Sequence, residues 1–301
     1  MEKKIKIAII GMGKMGNNHY NTVMNNPDVE LVAVVDPISP KATHKNVNSM
    51  LIDSKPQCAI ISSPTTTHLL SAGALIEEGV HLLIEKPVVS NPSESELIKK
   101  AQKRNTSRIA VGHVERFNPA IQALKRDIDT NSIVDCYSKR VGPYPTRIGD
   151  VGVTLDLAVH DIDLIRFVTE KNIFSISGQR NHVFRNTRED NITISLGIGD
   201  MSPTITSTIN ASWTYPFRER SIRILTDKFY YLVDLMAMTV KKYSSLGNSK
   251  YSVENLYVSK EDALQSQLKS FLNYAIMNED NHIATLDDGI ESLRVAWEAK
   301  R

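Results

Sequence analysis

The first third of the chain alternates short apolar runs rich in Ile and Val with segments of helical periodicity, which is how consecutive βαβ units around a parallel sheet read in sequence. Strands are expected at residues 5–10, 30–35, 58–62, 82–85 and 108–112. Between them the spacing predicts helices over 14–25, 67–78 and 93–104. Gly79 stops the second, and Asn91-Pro92-Ser93 opens the third with a capping residue and a proline in the first turn. In the helix over 67–78, Leu69, Leu70, Ala74 and Ile76 make a broad apolar side of the kind that packs on a sheet.

After residue 117 the pattern changes. A helix over 119–128, a strand over 133–141 and a helix over 154–168 lead into residues 173–257, where Ile, Thr, Val and Ser alternate. In Thr204-Ile205-Thr206-Ser207-Thr208-Ile209 the residues Ile205 and Ile209 fall on one face. Such alternation predicts a mostly antiparallel, open sheet. Helices over 262–277 and 287–299 follow. A chain of 301 residues exceeds what one core usually organises, and the change of pattern divides it into residues 1–117 and 118–301.

Composition narrows the partners. With 41% hydrophobic and 23% charged residues the chain is globular, and 36 Lys plus Arg against 34 Asp plus Glu leave a formal charge of +2. No charge surplus argues for nucleic acid or a membrane surface, and no run approaches the roughly 18 apolar residues of a membrane span. A cytoplasmic protein is expected. Cys58 and Cys136 fit buried thiols in a reduced compartment, and His44, His81, His182 and His282 have no metal-ligand spacing, so no metal is expected.

Candidate chemistry begins at Gly11-Met12-Gly13-Lys14-Met15-Gly16, which follows the first strand and opens the first helix. In that context Gly11 permits a tight turn, Gly13 lets backbone approach a pyrophosphate, and Gly16 lets helix and strand pack closely; the helix N-terminus meets the anion. Asp36 ends the second strand twenty residues beyond Gly16, where a carboxylate accepts from a ribose diol and repels a 2′-phosphate. Residues 1–117 therefore read as a Rossmann doubly wound α/β domain, and NAD is favoured over NADP, although Lys41 and Lys45 stand nearby to compensate a phosphate. The fourth strand ends in Glu85-Lys86-Pro87, a lysine at the sheet edge where open α/β sheets bind ligands.

With these motifs, the Ser62-Ser63-Pro64-Thr65 strand end, His68, and Asp156 four residues before His160, the chain resembles the glucose-fructose oxidoreductase/inositol dehydrogenase/MocA family of nicotinamide-dependent sugar oxidoreductases over nearly its whole length. The resemblance implies a cis Lys86–Pro87 bond, catalytic roles for Lys86, Asp156 and His160, and cofactor contacts from Met12, Lys14, Met15, Ser62, Ser63, Pro64, Thr65, His68, Glu85 and Lys86. The residues themselves agree in part: positions 156, 160 and 163 share one face of an α-helix, and a His of ordinary pKa, about 6.5, is a competent base near neutrality. Asp163 reads equally well as an ordinary helix-face acid. His19 and His113 read as packed residues, the second alternatively as a neighbour of the nicotinamide.

The stretches 112–119 and 141–147, the Ala211-Ser212-Trp213 segment with Pro216 and Arg220, and Phe271 and Asp287-Asp288-Gly289 resemble the branch that oxidises the C3 hydroxyl of UDP-N-acetylglucosamine. On that resemblance Arg116, Asn118, Tyr144, Arg147, Asp156 and His160 bind substrate. Arg116 and Arg147 offer forks for phosphate oxygens, and Tyr144 a face for uracil; ion pairs for the arginines and packing for the tyrosine remain the alternatives. Dehydrogenation of an unactivated sugar, polyol or inositol, and a noncatalytic NAD-binding regulator, also stay open. A homo-oligomer formed through the C-terminal sheet is expected.

Overall fold

The computed structural model describes residues 4–145, 151–184, 188–199, 205–279 and 282–301. In chain order the first elements are β1 (Ile5–Ile10), α1 (Lys14–Met24), β2 (Val29–Val35), α2 (Val47–Asp53), β3 (Cys58–Ile61), α3 (His68–Glu77), β4 (His81–Ile84), α4 (Pro92–Lys103) and β5 (Ile109–Val111). Next come α5 (Pro119–Asp127), β6 (Ile133–Val141), α6 (Val159–Thr169), β7 (Ile173–Asn181), β8 (Asn191–Ile198), β9 (Ile205–Ser212), β10 (Glu219–Thr226), β11 (Phe229–Asp234), β12 (Thr239–Gly247) and β13 (Lys250–Asn255). The last are α7 (Ala263–Leu272), β14 (Ala284–Thr285) and α8 (Leu286–Ala299).

Two compact units result, Met1–Val114 with Ala263–Ile290, and Glu115–Asp262 with Glu291–Arg301. The first holds a six-stranded sheet in the order β14-β5-β4-β3-β1-β2, parallel except where β14 runs against β5. Its central strands β3 and β4 are near-continuous buried apolar runs, as a sheet covered on both faces requires. The division expected at residue 117 differs from this one in its tail, because residues 263–290 return to the first unit. Gln265 donates to Thr22 O at 3.0 Å, β14 pairs with β5, and Gly289 sits where a Cβ would meet Val111 Cγ2 at 2.5 Å. A helical period says that a segment has an apolar face, not which sheet will cover it. Helix α2, not anticipated, is seven residues opened by Asn46, whose side chain accepts from Ser49 N at 2.9 Å.

The second unit holds an eight-stranded sheet, β13-β12-β11-β10-β6-β9-β8-β7, antiparallel throughout except for the β6–β9 pair. One face buries Cys136, Ile192, Ile194, Ile209, Ile222 and Ile224, while the other presents Tyr137, Thr193, Thr208, Asn210 and Arg223. Both thiols are buried, and burial pushes each up to about 12. Among the described residues no helix is long and apolar enough to cross a membrane, and no group of His, Cys, Asp or Glu is arranged to hold a metal.

Candidate active site

The first unit carries a cofactor cradle. Gly11 has φ +92°, and a Cβ there would lie 2.4 Å from Ser63 N; at Gly16 it would lie 2.0 Å from Gly11 O. At Gly13 a Cβ would meet nothing within 4 Å, so the open space falls at the glycine where a pyrophosphate must approach. Helix α1 begins after Gly13 without a side-chain cap, leaving its first N–H groups to a ligand. Around this turn lies a cavity of about 950 Å³ that Gly11, Met12, Gly13, Asp36, Ser63 and Thr67 help to line. These residues fit a dinucleotide. Lys14 is exposed and Met15 half-buried in the first turn of α1.

Asp36 is fixed by three backbone donors. Met12 N reaches Oδ2 at 2.8 Å, and Ile38 N and Ser39 N reach Oδ1 at 3.0 and 2.8 Å. Burial opposes its charge, but these donors and Lys45 hold the carboxyl below its usual range. Lys45 Nζ itself donates to Pro37 O, and Lys41 Nζ to Asn17 Oδ1 while lying over the Tyr20 ring.

Other expected cofactor residues line the cradle or stand behind it. Ser62 Oγ donates to Gly11 O at 2.9 Å and so holds the glycine turn, and Ser63 Oγ pairs with Thr67 Oγ1. Pro64 lines the cavity, and Thr65 starts the short turn before α3. His68 is buried, its Nε2 2.9 Å from Ser63 O and its Nδ1 3.2 Å from Pro87 O; burial lowers its pKa. It ties the Ser63 loop to the Pro87 loop. Glu85, expected to contact the cofactor, is buried and bonded to His19 Nε2 at 2.8 Å. Burial pushes its carboxyl up, yet the His19 bond and the nearby Lys86 bring it below the usual range. Gly112 makes room for this pair, since a Cβ there would sit 2.9 Å from Glu85 Cδ. Nothing in the spacing of positions 19, 85 and 112 announces that they meet. Lys86 is half-buried at the end of β4, and the Lys86–Pro87 peptide is cis, as the resemblance implied. His113 is buried.

In the second unit, Asp156 lies in a π-helical turn, Thr154–Ala158, which feeds α6. Glu189 anchors that turn: its Oε1 accepts from Thr154 N at 3.3 Å, its O accepts from Val153 N at 3.0 Å, and Gly152 leaves room for its carboxylate. Asp156 and His160 are both partly exposed. Asp163 does not join them. It is buried on the core side of α6 and accepts from Arg116 Nε at 2.8 Å and Nη2 at 2.6 Å; the π turn lies before His160 and alters only the spacing of Asp156 to it.

The residues expected to bind substrate fare differently from one another. The Arg116 side chain is buried and pairs with Asp163 inside the unit, the ion-pair alternative that the sequence left open. Asn118 is likewise buried, as the N-cap of α5, accepting from Ala120 N at 3.0 Å and donating to Leu235 O at 3.0 Å. Arg147 lies outside the described residues. Tyr144 is packed edge-on against Phe184 and Trp213, with ring centroids 5.0 and 6.0 Å away. Beside α6, Arg140 donates through Nε to Asp161 at 2.8 Å and through Nη1 to Glu115 at 2.8 Å. Burial disfavours charge on Glu115, but Arg140 and Arg220 outweigh it and hold the carboxyl low.

A parallel dinucleotide-binding sheet followed by the expected α+β unit on an open, mostly antiparallel sheet defines a class of nicotinamide-dependent oxidoreductases. Residues 5–113 match the oxidoreductase family with an NAD-binding Rossmann fold, GFO/IDH/MocA, and residues 134–231 match the GFO/IDH/MocA C-terminal domain. The chain belongs to this family and is an NAD-binding dehydrogenase of it. A UDP-N-acetylglucosamine 3-dehydrogenase from Acidithiobacillus ferrooxidans is 26% identical over 310 residues, covering 97% of this chain and 94% of that protein. A scyllo-inositol 2-dehydrogenase (NAD(+)) from Bacillus subtilis is 28% identical over 197 residues, 59% of this chain and 58% of the relative. A solved structure of the Acidithiobacillus protein has a TM-score of 0.89 at 23% identity, covering 99% of this chain and 97% of that one, a likeness of fold.

Proposed function

We propose that this protein oxidises the C3 hydroxyl of UDP-N-acetylglucosamine to a ketone with NAD. The observation that carries the reading is the span of the similarity: the match to the UDP-sugar enzyme runs through 97% of the chain, whereas the match to the inositol enzyme stops at 59%.

A dinucleotide held at Gly11, Gly13 and Asp36 would supply the hydride acceptor. The chain's own residues handle the proton. His160, partly exposed at the head of α6, takes it from the hydroxyl as general base. Lys86 hydrogen-bonds the same oxygen and stabilises the charge that develops on it. Asp156 orients the base. Asp36 supports NAD over NADP, because a 2′-phosphate would face a carboxylate that three N–H donors keep ionised. Titration of both cofactors tests this, with a tighter constant for NADP overturning it. The face of the eight-stranded sheet that carries Tyr137, Thr208 and Asn210 is the surface through which copies of the chain associate.

A second reading, oxidation of an unactivated polyol such as an inositol, is favoured by the engagement of Arg116 and Asn118 within the unit. Incubation with NAD and a panel of UDP-sugars, free sugars and inositols, with a ketone trap and NADH absorbance, separates the two. Turnover of a free polyol together with none of UDP-N-acetylglucosamine would overturn the first.

A further inference from the structure

The arginines around α6 fall into two groups. Arg116 and Arg140 are buried and have carboxylates of their own. Arg220 differs. It stands opposite Arg140 across the β10–β6 pair, and its side chain keeps 42% of its surface exposed. Among the described residues its side chain makes one hydrogen bond, Nη1 to Glu115 Oε1 at 3.2 Å, on an oxygen that Arg140 Nη1 already holds at 2.8 Å. A guanidinium has five donors, so the bond to Glu115 uses one of them and the partly exposed fork keeps others for a ligand.

Arg218, two residues earlier and exposed, lays its stem over Gly142, where a Cβ would meet its Cγ at 3.4 Å. Arg140, Arg218 and Arg220 therefore face two acids, Glu115 and Asp161. Glu219 does not correct the balance, because its carboxylate is paired with Lys139 at 2.8 Å. Burial first, then the like charge of Arg140, pull the Arg220 pKa down, with Arg218 adding to them and Glu115 and Asp161 opposing. Arg140 in turn grips Asp161, the residue after His160. The exposed fork thus belongs to the same end of the sheet as the start of α6.

We propose that Arg220, assisted by Arg218, binds the diphosphate of the substrate and thereby selects a nucleotide-activated sugar over a free one. This rests on the UDP-sugar reading above and supplies the cation that the buried Arg116 does not. A diphosphate offers anionic oxygens that match the planar fork with two parallel bonds. A free polyol offers no anion and leaves the arginines to water.

The test uses the full chain with saturating NAD. UDP binding is measured by calorimetry, and UDP-N-acetylglucosamine kinetics are measured with a ketone trap, for the natural protein, Arg220→Met, Arg220→Lys and Arg218→Ala. Arg220→Met is expected to weaken UDP roughly 10- to 100-fold and to raise KM with kcat within a few-fold, as loss of a charge-assisted bidentate contact does. Arg220→Lys should recover part of the loss, and Arg218→Ala should weaken UDP several-fold. Should Arg220→Met melt early, Arg220→Lys carries the comparison, since it keeps a cation beside Glu115 but loses the fork. UDP binding unchanged in Arg220→Lys and Arg218→Ala, with the natural protein binding UDP well, overturns the role of Arg220 and leaves the UDP-sugar reading standing. A natural protein that neither binds UDP nor oxidises the UDP-sugar overturns both.

Discussion

His19 and His160 carry the same side chain into opposite surroundings. His19 is buried against Glu85, while His160 is partly exposed at the head of α6. Replacing His160 with Asn should lower turnover by roughly 10²- to 10⁴-fold and leave the NAD dissociation constant unchanged; near-normal turnover would refute its role as base. His19 bears on stability instead. The Glu85 carboxyl is held below its usual range, so its ionised form stabilises the fold fully above the unfolded-state pKa of about 4.3 and that contribution disappears as pH falls through the lower folded value. His19→Ala removes the donor that opposes burial, the Glu85 pKa rises, and the acid-unfolding midpoint moves to higher pH. Circular dichroism followed from pH 7 to 2 reads this directly, and an unmoved midpoint would mean that His19 does not hold Glu85.

Helix α6 shows what a buried ion pair does for an element. Arg140 and Arg116 grip Asp161 and Asp163, which fixes the rotation of α6 and leaves His160 on the partly exposed side. Arg116→Ala would leave Asp163 without its guanidinium, and breaking a buried pair from one side destabilises by about 3–5 kcal/mol. Urea unfolding should show a loss of that order. If Arg116 were a substrate contact instead, stability would hold and KM alone would rise. Strand and helix positions near this site were readable in advance: β6 spans the expected residues 133–141, and α5 starts at Pro119 as expected, its N-cap Asn118 being seen only in the structure. The π turn was not, because i→i+5 bonding leaves no period in five residues; its anchor, Glu189, is thirty-five positions away along the chain.

Over the whole molecule the chain changes unit three times, after Val114, Asp262 and Ile290. The open face of the second unit's sheet carries Tyr137, Thr193, Thr208, Asn210 and Arg223, a mixed surface suited to a partner that is also soluble alone. Light scattering at micromolar concentration should give at least twice the monomer mass of 33.7 kDa, and Tyr137→Glu should lower it. A monomer in the natural protein would count against association through this face.

The sequence by itself determined the elements of the cofactor cradle and the class of chemistry, since local rules govern them. A glycine turn between strand and helix, an acid at the next strand end and a lysine before proline are each written within a few residues. The partners of charged side chains were decided only by tertiary structure. Glu85 with His19, Arg116 with Asp163, and Arg140 with Asp161 and Glu115 are joined across 66, 47, 21 and 25 positions. Burial makes such pairing obligatory, but which acid meets which base depends on how strands and helices are layered, and that is why Arg116 lies inside the protein and Arg220 is partly exposed.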